Sequence, residues 1–314
     1  MFYINTISDL ELEYFDGEIV DPLLCYLSGL DVNVDGHYVK PGHRVTANIA
    51  TQPYRFSSLM KTLESIRDQF DEVRICLNGF RSVPIELDGY TTYLGDDLTD
   101  NGKFFWSGCE SEYYFTLDDD IVYPSDYVQR TLPLIGDRVV SYHGRRLVGR
   151  GEKYYDNHHV YLFGDRMEKE TSLDVAGTGV MAFDTDVFRP TLWTSPNLRM
   201  SDLLISLEAH MRRIPLVCLP SKSAWIKDDP FQRDGIYWDR TCDVELLTRY
   251  ADMIMDLKGT GIGKTALNYE FTEQSLSSVV GLVESRQTGG FIVLRSGNGY
   301  LPEFFRSLSD RVLA

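Results

Sequence analysis

Three consecutive carboxylates, Asp118, Asp119 and Asp120, follow directly on the run Tyr113-Tyr114-Phe115-Thr116-Leu117 and precede Ile121-Val122-Tyr123-Pro124. A short run of aromatic and branched residues has the pattern of a buried strand, so the carboxylates fall where a strand delivers charge to a sheet edge. In open α/β sheets that edge faces a ligand crevice. Adjacent like charges are costly to bury bare, and a divalent cation compensates them. Asp118 and Asp120 would offer the oxygen ligands that Mg²⁺ or Mn²⁺ takes. The competing reading is a solvated acidic turn.

Other residues with chemical potential lie farther along. Asp202 stands in the first turn of a helical pattern over residues 200–211, where it can act as a general base or merely complement the helix dipole. Gly177-Thr178-Gly179 interrupts a strand pattern over residues 173–183, as glycines do where the backbone bulges or approaches a ligand closely. The spacing lacks the third glycine of a dinucleotide fingerprint. Lys103 closes a polar loop and is either a phosphate-contacting cation or a solvated lysine. The stretch Lys258-Gly259-Thr260-Gly261-Ile262-Gly263-Lys264-Thr265 has a lysine where a phosphate loop needs its first glycine, so it reads as a mobile glycine-rich lid that brings Lys264 near a bound phosphate. Adjacent His158 and His159 would point to opposite faces of a strand and make a poor joint metal site.

These residues need a sheet to hold them. Residues 44–51 read as a first core strand, stopped by Gln52-Pro53. Phe56, Leu59, Met60, Leu63, Ile66 and Phe70 then recur at helical spacing. Strands follow at 73–77 and 90–94, and this strand–helix–strand order argues for parallel βαβ units. Beyond the carboxylates come a helix at 127–134, a strand at 138–142 and a polar stretch, 143–171, that reads as an inserted hairpin or loop over the active edge. Ser201 is the expected cap of the 200–211 helix. A final strand over 214–220 and a helix over 244–257 complete the pattern. The expected divisions are an N-terminal arm (1–43), an α/β domain (44–258) and a C-terminal appendage carrying the lid (259–314), with a strand at 291–294.

The formal charge is −16, and the apolar and charged fractions are 43% and 25%. That balance is ordinary for a globular protein and argues against nucleic acid as a partner. The five cysteines show no C-x-x-C spacing, which fits a reducing compartment and neither a disulfide framework nor a zinc site. The first residues lack the pattern of a signal peptide and no apolar run is long enough to span a bilayer. The expectation is a cytoplasmic protein without a transmembrane segment.

Taken in order, the strand end Thr51-Gln52-Pro53-Tyr54-Arg55, the Asp-x-Asp of Asp118 and Asp120, the Gly177-Thr178-Gly179 turn and Asp202 at a helix start resemble a GT-A glycosyltransferase of the bacterial family-2-like group. The resemblance covers residues 44–220 and implies a Rossmann-like, mostly parallel sheet flanked by helices. It implies Mn²⁺ or Mg²⁺ on Asp118 and Asp120, beside Asp119, and a nucleotide-sugar donor, UDP-sugar first among them. Thr51, Pro53 and Arg55 would meet the nucleotide, Asn101 and Lys103 would lie over base and ribose, and Gly177, Thr178 and Gly179 beside the donor sugar and acceptor. Asp202 would be the base of an inverting transfer to a glycan, glycolipid or protein acceptor, with peripheral contact at the inner membrane face allowed. Where many relatives carry an Asp pair after the second strand, this chain has Leu77-Asn78-Gly79. Two other readings compete. Asp118 and Asp120 also fit the D-x-D-x-V nucleophile motif of haloacid-dehalogenase-like phosphatases, although that strand normally opens the domain, and a carbohydrate-binding scaffold without turnover needs no catalytic base.

Overall fold

A computed structural model describes residues 31–32, 38–40, 42–150, 153–156, 158–190, 200–229 and 244–259. Lys264 and the rest of the expected lid from residue 260 on, the 291–294 strand and most of the N-terminal arm lie outside the described residues; Lys258 and Gly259 end a helix instead. Of that arm, a short ribbon pairs β1 (Asp31–Val32) with β2 (Tyr38–Val39).

The centre is an eight-stranded α/β sheet. On one side β3 (Arg44–Thr51), β4 (Glu72–Leu77), β5 (Thr91–Leu94) and β6 (Glu112–Leu117) run parallel. On the other, β8 (Val139–Ser141) and β14 (Leu216–Cys218) form a second parallel pair. Between the halves sits β13 (Val180–Asp184), antiparallel to both β6 and β8, and β11 (Thr171–Ser172) closes the edge on β14. The sheet is therefore mixed, with its parallel half where the βαβ pattern placed it.

Both faces of β6 are buried, which explains its unbroken apolar run. Tyr113, Phe115 and Leu117 face one core with Leu59 and Leu63 of α1 (Phe56–Ser65) and with Tyr127 of α2 (Tyr127–Thr131). Tyr114 faces a second core with Phe183 and with Leu204 and Ile205 of α3 (Ser201–Arg212). α4 (Val244–Gly259) packs Leu247, Ala251 and Ile254 against Leu203 and Leu207 of α3.

Several boundaries differ from the sequence pattern for local reasons. α1 stops at Ser65, and Asp68 adopts a positive φ of 65° in the turn that follows; Phe70 reaches Phe115 edge-on from beyond that turn, with ring centroids 5.3 Å apart. α2 ends at Thr131 and tightens into a 3₁₀ turn over Leu132–Leu134, where Pro133 cannot donate to the helical ladder. The 173–183 pattern is two strands in two sheets, because β12 (Val175–Ala176) pairs with β9 (Gly144–Leu147) and only β13 joins the main sheet. β9 also pairs with β10 (His158–Tyr161), so the polar 143–171 stretch does contain a hairpin.

Under the opposite edge of the parallel half, Arg74 grips Glu112 with two bonds, Nη1 to Oε1 at 2.7 Å and Nη2 to Oε2 at 2.9 Å. Glu112 is wholly buried. Burial raises its pKa, with the Arg74 cation opposing and the Glu110 charge adding to the rise. Among the described residues no helix is long and apolar enough to cross a membrane.

Candidate functional site: a carboxylate crevice at the sheet edge

β6 ends at Leu117, and the chain turns at once. The Asp118 amide meets both the Tyr123 hydroxyl (2.9 Å) and the Gly179 carbonyl (3.3 Å), and the same hydroxyl donates to Gly179 O at 2.5 Å. The turn is thus pinned to the start of β13. β7 (Ile121–Val122) then pairs with β15 (Lys227–Asp228), and the Asp229 amide donates to Asp120 O at 2.8 Å. That ribbon is anchored in turn by Ser58 and Lys61 of α1, whose side chains bond the Asp229 carboxylate.

The three carboxylates have different fates. Asp119 is buried, and its Oδ1 takes the Arg55 guanidinium through Nε at 2.8 Å and Nη2 at 2.5 Å. Arg55 also reaches Asp120 Oδ2 at 2.8 Å. Asp118 and Asp120 keep 39% and 24% of their side chains exposed, so these two face the crevice. Burial and the Asp118 charge push the Asp120 carboxyl up to about 6, with Arg55 opposing. Asp228, on the facing ribbon, is raised by burial and by the same Asp118 charge.

Lys103 is neither solvated nor spread over the mouth of the crevice. Its side chain is 5% exposed, and Nζ forms an ion pair with Asp118 Oδ1 and lies 3.5 Å from Thr178 Oγ1. Burial would lower its pKa, but Asp118, Asp100 and Asp202 surround it and raise it. Asn101 is likewise buried, its Nδ2 turned to Thr99 Oγ1 at 3.3 Å and Asp100. The loop that carries both is held by Asn78, whose Oδ1 accepts from the Leu98 amide at 2.9 Å and whose Nδ2 donates to Thr99 O at 2.7 Å. Asn78 in the Leu77-Asn78-Gly79 variation is therefore a structural clamp. Thr51 is buried with its Oγ1 unpartnered among the described residues, while Pro53 opens the exposed turn Pro53–Arg55 that aims Arg55 inward.

Asp202 enters from the other wall. Its Oδ1 accepts the Thr178 amide and hydroxyl, both at 2.8 Å, and Oδ2 meets Arg145 Nη1 at 3.3 Å. Burial works to raise its pKa, yet Arg145 and the two Thr178 donors outweigh it and hold the carboxylate below its ordinary range. The helix that carries it is capped differently from the sequence expectation: Met200 is the cap residue, and Ser201, the first helical residue, gives its amide to Asp100 Oδ2 at 2.9 Å. A carboxylate from a distant loop takes over the role assigned to Ser201.

Gly177-Thr178-Gly179 joins the two walls, and its glycines are sterically required. A Cβ on Gly179 would overlap the Asp118 carboxylate, and one on Gly177 would come within 2.5 Å of the His143 ring. We expect Gly179→Ala to displace the Asp118 carboxylate with far-ultraviolet circular dichroism unchanged, and any thermal shift that Mn²⁺ gives the wild type to be lost with it. Retained cation dependence would show that Asp118 is not a ligand.

Sequence reasoning missed several residues of this crevice. His143, in the bend between β8 and β9, and Arg145, on β9, line the Asp202 side. Burial and Arg145 lower the His143 imidazole to about 4. Tyr154 lies beneath the guanidinium, 5.9 Å from Arg145 Cζ to the ring centroid. Only the strand-end position of His143 hinted at a role.

The crevice offers a divalent cation two partly exposed carboxylates, one raised by the other's charge, with buried Asp119 Oδ2 unpartnered behind them, although Lys103 and Arg55 already pair with Asp118 and Asp120. A second set, His43, Asp184 and Asp186, brings ligand atoms within 4.8 Å of one another at the opposite sheet edge. Lys40 Nζ sits 2.7 Å from Asp184 there and already neutralises it. No protein-family model and no curated protein sequence matches the chain.

Proposed function

We propose that the chain is a metal-dependent glycosyltransferase of the GT-A kind, moving a sugar from a nucleotide-sugar donor to a glycan, lipid-linked or protein acceptor with inversion. One observation carries this reading: the Asp118 and Asp120 carboxylates and the Asp202 carboxylate lie on two walls joined by Gly177-Thr178-Gly179, beyond the carboxyl ends of the parallel strands.

The acceptor hydroxyl attacks the anomeric carbon, the bond from that carbon to the diphosphate oxygen breaks, and the hydroxyl proton passes to Asp202. Arg145 and Thr178 orient the Asp202 carboxylate and keep it ionised at neutral pH. Lys103 and Arg55 supply fixed positive charge beside the leaving diphosphate. When bound on Asp118 and Asp120, Mg²⁺ or Mn²⁺ adds positive charge for the same developing anion. Nucleotide sugars would be met in the cytoplasm, and a lipid-linked acceptor would bring the protein to the inner face of a membrane.

The test is thermal melting with UDP, GDP, CDP and dTDP, each with and without Mn²⁺, on the wild type and Asp120→Ala. A ligand at a hundredfold excess over its Kd stabilises by about 2.7 kcal/mol, a shift of several degrees. The expected shift needs both Mn²⁺ and Asp120 and is largest with UDP. No shift with any nucleotide would sink the proposal and favour a phosphatase or a non-catalytic carbohydrate binder.

A further inference from the structure

On the α2 side of the sheet, a cavity of about 390 Å³ opens between that helix and the loop that follows β14. The volume lies within the range of small-ligand sites, about 300–1,000 Å³. Its two walls differ in chemistry. One carries Asp126, Gln129 and Arg130, which share a helical face at i, i+3 and i+4. The other is formed by Trp225, Tyr142 and Pro220.

The aromatic wall is rigid. Trp225 meets Tyr142 edge-on at 5.0 Å and Tyr127 at 6.0 Å, and its indole N–H donates to Asp126 Oδ1 at 2.9 Å. The Tyr142 hydroxyl is engaged by Thr131 at 3.0 Å. The polar wall is adaptable: Arg130 lies 5.8 Å from the Trp225 ring centroid, is 52% exposed and is tied to Asp126 through Nε.

We infer that this cavity binds a carbohydrate ring. A pyranose has an apolar face of C–H groups and a periphery of hydroxyls, and this cavity sets an aromatic surface beside side chains that donate (Arg130, Lys222) and accept (Asp126). A lipid chain would want no Asp–Arg pair, and a bare anion could pair with Arg130 and Lys222 but would gain nothing from the indole. A nucleobase, which stacks on aromatic rings and guanidinium planes, is the rival: a nucleotide thermal shift lost in Trp225→Leu and kept in Asp118→Asn would overturn the inference. The position extends the transfer site. Tyr142 directly precedes His143 of the crevice, and the loop bearing Trp225 runs on to Asp228 and Asp229 beside Asp118 and Asp120. The cavity suits a sugar of the acceptor glycan other than the one that is glycosylated. Calling that glycan the acceptor rests on the transferase reading; the binding itself does not.

The experiment measures retention of the full chain on immobilised neutral and uronic-acid-containing di- to tetrasaccharides. It compares the wild type with Arg130→Ala, which alters an exposed side chain, with Trp225→Leu, and with Asp118→Asn in the crevice. Urea unfolding checks that each variant is folded. The expected result is retention on at least one glycan, weakened at least tenfold by Arg130→Ala and by Trp225→Leu and unaffected by Asp118→Asn. Retention on no glycan, retention unchanged by Arg130→Ala in folded protein, loss through Asp118→Asn, or displacement of the glycan by inorganic phosphate would each overturn the inference. Glycan retention without any nucleotide shift would keep the cavity and discard the transferase.

Discussion

In Asp202→Asn, turnover by the proposed transferase is expected to fall by about 10²–10⁴-fold, the usual worth of a general base, with any UDP–Mn²⁺ thermal shift of the wild type intact. The amide can still accept from Thr178 through its oxygen, its Nδ2 can no longer accept from Arg145, and the proton acceptor is gone. The pH profile separates this role from a structural one. Because Arg145 and Thr178 hold Asp202 low, its ionisation is complete well below neutrality. An acid limb in the wild type that moves to lower pH as cation is added would belong to Asp120, whose protonation competes with the cation. That limb is expected to persist in Asp202→Asn. If the substitution instead moved the limb, or raised KM with turnover preserved, Asp202 would be a binding residue and the base would have to be sought elsewhere.

The second large effect concerns stability and lies at the other end of the strands. Glu112→Ala is expected to destabilise the fold by about 3–5 kcal/mol, because it strands the Arg74 guanidinium in the interior. Arg74 keeps Glu72 at 2.8 Å, but Glu72 is partly exposed and cannot match the lost pair of bonds. The double replacement Arg74→Met with Glu112→Leu should recover most of the loss, since it removes both charges together and restores apolar packing. Urea unfolding of the two variants measures the difference through the midpoint, with an unchanged slope. Equal loss in the single and double variants would mean that packing, and not the stranded charge, dominates.

Much of the scaffold was legible because its signals are local. The apolar run before Asp118 and the helical spacing of Leu59 and Leu63 both mark segments whose neighbours in sequence are also neighbours in space. The hairpin over residues 143–171 was visible as a polar interruption with strands on either side. What escaped detection depends on distant partners. Lys103 sits in a loop indistinguishable from a solvated one, and only the surrounding Asp118, Asp100 and Asp202 make its burial tolerable. Asp100 caps a helix 101 residues away. The split of β12 from β13 has no signature in alternation, because a period of two says which residues share a face and nothing about which sheet a strand joins. A cation was the usual relief expected for the carboxylates; Arg55 and Lys103 also pair with them from within, which no local pattern announces.

The place of β13 has a consequence for how the chain acquires its shape. β6 and β8 are successive strands of the main sheet, with only the outlying β7 between them in sequence, yet they are not partners; β13, some forty residues after β8, lies between them. β8 cannot join the parallel half until residues 180–184 pair with both, and its parallel partner β14 comes later still, so this long-range closure has to meet its loop entropy before any pairing rewards it. The same event brings Gly179 against Asp118. The crevice is thus among the last features to form, and a chain stalled before β13 docks would hold most of a sheet and none of its chemistry.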